Sequence, residues 1–326
     1  MTQRFIRFLL AFIAWGAGTL GVALAGEAYP TRPITLIVPF AAGGAVDIVG
    51  RLAGEQLSQA LGQPVVVENV TGAGGTIAAT RVARAAPDGY TILVGNLGTQ
   101  VASVGSFKKL AYDPRVDFTP IILLANAPEV LLVGKDAPPN SLQEFVSYLK
   151  SVGRPITIGH SGVGSTSYLT YLLFRKLSGT APVSVPYRGD IEADRDVMSG
   201  RVDAVFNWSI LAAPYVTSKQ LKAMVVLAPQ RSAVMPDVPS AAEAGMPNLL
   251  VNAWTALFFP KDTPQPIVER VNAALQKAFA NEAVVARMTK IGLDIPTPEQ
   301  RTPQALHALV ESELDKWLPL IQAATN

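Results

Sequence analysis

The sequence predicts an α/β protein of two units, each a mostly parallel sheet flanked by helices. Three observations carry that expectation. Short, branched apolar runs alternate with segments of helical periodicity, the pattern of strand–helix–strand crossovers. The alternation occurs near the start of the chain and again after residue 140. The chain has 326 residues, 49% of them hydrophobic, enough for the cores of about two domains.

The first unit opens with Ile34–Phe40, apolar and branched, a buried strand. Ala41–Gly44 break it. Val49, Leu52, Ala53, Leu57, Ala60 and Leu61 then recur at helical spacing until Gly62 stops the helix. Val65–Val67 is a second strand, Thr71–Gly75 a second glycine break and Ile77–Ala85 a helix. The turn signal Pro87-Asp88-Gly89-Tyr90 leads to a third strand, Thr91–Gly95. The second unit begins with a helix over Ser141–Ser151, where Ser141 and Glu144 have the spacing of a capping box. Ile156–Gly159 is a strand and Tyr168–Leu177 a helix. Val183–Asp190 is a strand entering a turn, Glu192–Ser199 a helix, and Gly200–Trp208 a turn and strand. Pro266–Ala280 and Thr302–Ala324 are helical, add no sheet, and are expected to pack back on an existing domain. The expected domains are 26–127 with 253–326, and 128–252. The chain crosses between them near Pro128–Val133 and Leu249–Trp254, the expected hinges.

The first 25 residues read as a secretory signal. Arg4 and Arg7 form a basic start, an apolar stretch follows, and Ala23-Leu24-Ala25 is a small-x-small cleavage site. Cleavage after Ala25 removes two of the positive charges and no acid, so the formal charge falls from +2 to zero. The mature protein is expected to be periplasmic. The sparse, scattered charge excludes a nucleic-acid footprint. With no cysteine there is no disulfide framework, thiol nucleophile or cysteine metal site. Only His160 and His307 are available, so neither metal nor cofactor is expected.

Ligands of open parallel sheets bind beyond the carboxyl ends of strands, so the loops after strands hold the candidates. After the first strand, Phe40, Ala41, Gly43, Gly44 and Asp47 form a small-residue turn into a helix N-terminus, which favours an anion. After the second, Thr71, Gly72, Ala73, Gly74 and Gly75 repeat the arrangement, with neither a dinucleotide fingerprint nor a P-loop lysine. Two such loops after adjacent strands converge on a small-anion site. Asn96 and Thr99 follow the third strand. In the second unit, "GHSGVGSTS" (159–167) resembles a nucleophile elbow, but Val163 stands where the second glycine belongs. Ser161, Gly164, Ser165 and Thr166, with Ser167, suit neutral donors at a helix start instead. Arg188, Gly189 and Asp190 follow a further strand. Arg188 could clamp a carboxylate. Asp190 either receives a donor at the ligand's far end or turns outward to pair with Arg188 or Arg195. Asn207 and Trp208 offer an amide and an aromatic wall, while Trp254 suits core packing.

The segments "YPTRPITLIVPFAAGGAVDIVGRLAGEQLSQALGQPVVVENVTGAGGTIAA", "APDGYTILVGN", "ITIGHSGVGSTSYL" and "VPYRGDIEADRDVMSGRVDAVF" closely resemble the Bug-type extracytoplasmic solute receptors of tripartite tricarboxylate transporters. The resemblance continues through "MPDVPSAAEAGMP" and "FFPKDTPQPIVERVNAAL" and spans essentially the whole mature chain. It implies a two-domain periplasmic-binding-protein ("Venus flytrap") fold that closes on a small organic carboxylate. Pro39–Asp47 and Thr71–Gly75 would act as pincers on one carboxylate, and Ser161–Ser167 and Arg188–Asp190 would face it from the other domain. It further implies a monomer that serves membrane transporter subunits. Asn207, Tyr168 and Gln100 depart from the family's aspartate, histidine and histidine, which bears on the ligand's far end. The competing expectations are an exported serine hydrolase using Ser161 and a ligand sensor feeding a signalling system.

Overall fold

A computed structural model describes residues 29–325; the expected export signal and cleavage after Ala25 lie outside them. Arg32 onward forms one compact unit. In its first part, β1 (Ile34–Val38) lies between β2 (Val65–Asn69) and β3 (Thr91–Asn96), parallel to both. The expected strand to Phe40 stops at Val38, because Pro39 has no N–H with which to continue the ladder. Helix α1 (Ala45–Leu61) crosses between β1 and β2, and its C-terminus is capped by Gly62 in the left-handed region, as expected. Its Gly50 and Gly54 lie one turn apart against the sheet, where an added Cβ would come within 3.2 Å of Val38 and of Leu36 respectively. The helix packs close because these two positions lack side chains. Helix α2 (Thr76–Ala83) links β2 to β3.

After β3 the chain makes a π-helical turn (Gly98–Ala102) and a short helix, α3 (Ser103–Ser106). It then enters β4 (Phe118–Gly134), a long strand that sequence reasoning missed. Pro120 and Pro128 lie within it, and proline ordinarily argues against a central strand. Two register shifts in its pairing, at Pro120/Ile122 and Leu123/Ala125, accommodate the irregularity.

The second part repeats the design of the first. Helix α4 (Leu142–Ser151) is capped by the Ser141 hydroxyl, which accepts from the Glu144 N–H at 3.2 Å. Glu144 reaches back to the Asn140 N–H at 2.8 Å, one residue earlier than in a standard capping box. Strand β5 (Thr157–His160) is followed by α5 (Thr166–Ser178), β6 (Val183–Pro186), α6 (Asp190–Met198) and β7 (Ala204–Trp208). Here β5 lies between β6 and β7, parallel to both. Helix α7 (Ser209–Thr217) and β8 (Leu221–Val226) follow, then β9 (Asn252–Pro260). The remaining helices are α8 (Gln265–Phe279), α9 (Glu282–Lys290) and α10 (Pro303–Thr325).

The sheet order is β2-β1-β3-β9-β4-β7-β5-β6, with β8 on β4. Each set of three parallel strands has its first strand in the middle. Strand β4 joins the two sets. Phe118–Pro128 pair antiparallel with β9, and Glu129–Gly134 pair with β7 and β8. The expected crossing near Pro128–Val133 therefore falls at the junction Pro128/Glu129. β9 is buried along nearly its whole length, so no alternation marks it as a strand in the sequence. Helix α10 returns to pack on β4 and the π-helical turn, as expected for the C-terminal helices.

Candidate functional site

The loops after the first two strands of each unit meet face to face. A Cβ on Gly44 would sit 3.6 Å from an Asp190 carboxylate oxygen, and one on Gly189 would sit 3.1 Å from the Ala41 Cβ. Gly74 touches the Val163 carbonyl so closely that a Cβ there would overlap it. Gly98 lies against the start of α5, with a Cβ position 3.0 Å from the Thr166 amide nitrogen. The N-termini of α1, α2, α5 and α6 thus converge, four positive dipole ends directed at one region.

The first unit's loops are held by their own polar side chains. Asp47, buried, accepts from the Gly43 N–H at 2.9 Å, from Arg51 at 2.8 Å and from Asn69 at 2.8 Å. Burial alone would raise its pKa, but these hydrogen bonds outweigh it and hold the carboxyl below its ordinary value. Asn69, which sequence reasoning missed, also donates to the Phe40 carbonyl at 2.9 Å, so one amide at the end of β2 fixes the loop after β1. The Gly44 N–H is held by the Ala41 carbonyl at 3.2 Å. The Gly43 and Gly44 N–H groups are thus already engaged within the loop. In the second loop the Gly75 N–H is held by Gly72 and the Thr76 hydroxyl by Ala73, both at 2.9 Å. Thr71 and Ala73 are exposed, and Gly74 is buried. Asn96 and Thr99 cap each other, the Thr99 N–H donating to Asn96 Oδ1 at 2.9 Å and the Asn96 N–H to Thr99 Oγ1 at 3.0 Å.

In the second unit the hydroxyls form a chain. Ser165 Oγ is the N-cap of α5 and accepts from the Tyr168 N–H at 3.2 Å. Ser167 Oγ lies 3.3 Å from Ser165 Oγ and 2.9 Å from Ser161 Oγ. Thr166 Oγ1 is buried with no partner among the described residues. His160 turns away from Ser161. Its Nδ1 accepts from the Gly162 N–H at 3.2 Å, which leaves the ring proton on Nε2, 2.6 Å from Ser184 Oγ. Burial pushes this imidazole down to about 4, so it is neutral at physiological pH.

Asp190 is turned inward. It is 7% exposed and makes no ion pair with Arg188 or Arg195, which overturns the outward alternative. Burial pushes its pKa up to about 6, against the nearby Ser161 hydroxyl, which favours the charged form. One turn on, Asp194 is raised to about 8 by burial and by Asp190, while both its oxygens accept from the Asn207 amide at 2.7 Å. Asn207 is therefore engaged, its own oxygen taking the Trp208 N–H at 2.8 Å. Trp208 and Trp254 are both buried. Arg188 is exposed at the rim, its N–H donating to Glu192 at 3.2 Å.

A cavity of about 470 Å³ lies where the units meet. Phe40 and Gly72–Gly75 line it from the first unit, and Ser161, Val163, Tyr187 and Arg188 from the second. Phe107, just after α3, also lines it and was not foreseen; nothing in its local sequence sets it apart from a core aromatic. Its ring lies on the facing loop, 2.7 Å from where a Cβ on Gly164 would be, and Gly164 has φ +84°. The Ser103 hydroxyl donates to the Gly164 carbonyl at 3.3 Å beside it. Among the described residues, no cluster of three His, Cys, Asp or Glu side chains could hold a metal.

A family model described as the tripartite tricarboxylate transporter family receptor matches residues 49–325. Among solved structures, MatC from Rhodopseudomonas palustris with bound malate is 45% identical, covering 90% of this chain and 100% of its own, at TM-score 0.87. The periplasmic binding protein BugD is 35% identical over 91% of this chain and 98% of its own, at TM-score 0.86. An R. palustris protein solved with adipate is 31% identical over the same shares, 91% and 98%, also at TM-score 0.86.

Proposed function

The chain belongs to the tripartite tricarboxylate transporter receptor family, and from that premise we propose that it is a periplasmic receptor that captures a small organic carboxylate in the cleft between its two units. The observation that carries this reading is the convergence of four helix N-termini, two of them behind glycine loops, on one region beside a cavity lined by the loops of both units. Such a site offers backbone amides and dipole ends to an anion without burying a paired cation. The candidate residues then divide by task. The first-turn amides behind Phe40–Gly44, and those of Thr71–Gly75, take one carboxylate. Ser161, Thr166 and Asp190 face the rest of the ligand. Asp47, Asn96, Thr99, Ser165 and Asn207 hold loops in place. MatC and the adipate-bound relative support a carboxylate ligand.

The two units act as domains, 26–127 with 253–326 and 128–252, that close about the crossings at Pro128/Glu129 and at Leu249–Trp254. The protein is exported with cleavage after Ala25, works as a monomer, and delivers its ligand to membrane transporter subunits. No helix among the described residues is long and apolar enough to cross a membrane. It binds and does not catalyse: His160 is committed to Gly162 and Ser184, and Ser161 sits in a hydroxyl chain with Asp190 near it and no imidazole within reach to complete a nucleophile–base pair. A thermal-shift screen of small carboxylates on the mature protein tests the reading. A ligand at 100 times its Kd should add about 2.7 kcal/mol of stability. A panel with no stabilising carboxylate, or ester turnover that vanishes in Ser161→Ala, would contradict it.

A further inference from the structure

Glu129 has no role in the site described above, yet it is a fully buried acid whose two carboxyl oxygens are both without a partner among the described residues. Its backbone is fastened at the place where the chain passes between the units. Its N–H donates to the Val251 carbonyl at 3.3 Å, and its carbonyl accepts from the Leu227 N–H at 2.8 Å. Its neighbour Pro128 ends the pairing with β9, while Glu129 itself stands opposite Trp208 of β7. A buried carboxyl without partners needs an explanation, because ionised it would forfeit its hydration with nothing in return.

We propose that Glu129 is a proton-binding site coupled to ligand capture: the protein holds a proton on this carboxyl when the cleft is closed on an anion, so carboxylate binding strengthens as pH falls. The inference rests on the receptor reading above. Three features of the surroundings support it. From α5 the facing group is the Thr170 hydroxyl, which already donates to the Thr166 carbonyl at 3.1 Å. With that proton so engaged, its lone pair can accept from a protonated carboxyl. From α6 the facing charge is Asp190, of like sign, with Asp194 one turn behind it. β7 presents Trp208, and the segments at Leu227 and Val251 present backbone alone. No cation among the described residues acts on the group. Burial pushes Glu129 up to about 8, with the Thr170 hydroxyl opposing the shift and Asp190 adding to it. A carboxylate bound in the cleft adds negative charge to the field shared by Asp190 and Glu129 and favours the proton further. By reciprocity, the proton favours the ligand.

Two measurements separate the proton site from its coupling. In the ligand-free protein, urea unfolding of wild type and Glu129→Gln is compared from pH 4 to pH 9. A carboxyl raised by folding stabilises fully below its unfolded value, near 4.5, and that contribution is lost as pH rises through about 8. Wild type should therefore lose stability relative to the glutamine variant across that window; parallel curves would overturn the proton site. Next, calorimetry with L-malate and with adipate at pH 8, in buffers of different ionisation enthalpy, counts protons taken up per ligand. Wild type should take up a fraction of a proton that falls in Glu129→Gln, and above pH 8 its affinity should weaken by up to ~ten-fold per pH unit. Asp190→Asn keeps Glu129 and removes the facing charge, so it should move the wild-type stability midpoint to lower pH even if the glutamine variant does not fold. Binding with an equal proton count in wild type and Glu129→Gln overturns the coupling and leaves the receptor reading intact. Absence of carboxylate binding overturns both.

Discussion

The two α/β units share one strand order, with the first strand between the second and third, but their loops present opposite chemistry to the cleft. The first unit offers glycines and backbone. Its one buried acid near the site, Asp47, is bound three ways and kept ionised. The second unit offers side chains: a chain of three serine hydroxyls, and Asp190 and Asp194, whose pKa values burial drives upward. A shared topology therefore does not imply a shared role. On the proposed reading, backbone amides behind glycine recognise what every carboxylate has in common, and hydroxyls and carboxyls at a helix start discriminate among what lies at the other end.

The comparison can be broken most severely at Gly74. Its φ of +62° disfavours any side chain, and a Cβ would run into the Val163 carbonyl. Gly74→Val should leave the first unit folded and prevent closure, with affinity for any carboxylate lost by more than ~100-fold, or about 2.7 kcal/mol. Gly44→Val should also abolish binding, since its Cβ position faces Asp190 at 3.6 Å. Calorimetry together with circular dichroism separates lost binding from lost folding; wild-type affinity in both folded variants would refute the pincer role.

A change in the second unit should sort ligands instead of abolishing them all. A buried carboxylate opposite an anionic ligand end is repulsive, so Asp190 calls for a far end that carries a donor such as an ammonium or hydroxyl. Asp190→Asn should weaken such a ligand by about 1.5–3 kcal/mol and spare its plain deoxy or deaminated analogue. Equal losses for the matched pair would remove Asp190 from recognition. A smaller effect is expected at Phe107, which touches both units. Phe107→Ala should weaken binding about ten-fold, ~1.4 kcal/mol, by removing the ring from Gly164 and the cavity wall. Phe107→Tyr should restore most of it; unchanged affinity in the alanine variant would make the contact incidental.

Much of the fold was legible because its cues are local. Gly62 ends α1, Ser141 starts α4, and the Gly-rich loops follow β1 and β2 as their small residues require. What escaped was non-local. β4 hides behind two prolines and owes its existence to β9, 142 residues away by the pairing of Phe118 with Pro260. The candidate loops lie face to face, and several of their side chains hold loops in place. Sequence spacing puts Asn207 near the cleft, but only the folded contact shows its amide occupied by Asp194. Phe107, Asn69 and Glu129 carry no motif, and their positions become meaningful only when the two units face each other.

The central claim is that backbone amides of the first unit's two loops grasp one carboxylate in the cleft while the start of α5 in the second unit faces the rest of the ligand. Amide NMR of the ¹⁵N-labelled mature protein, titrated with the best carboxylate from the thermal-shift screen, tests it most directly. The account predicts that the amides of Ala45, Val46, Ala73 and Gly74 shift together with that of Thr166 and saturate at one ligand concentration. Saturable binding that moves only amides outside these loops, with all five unchanged, would contradict it.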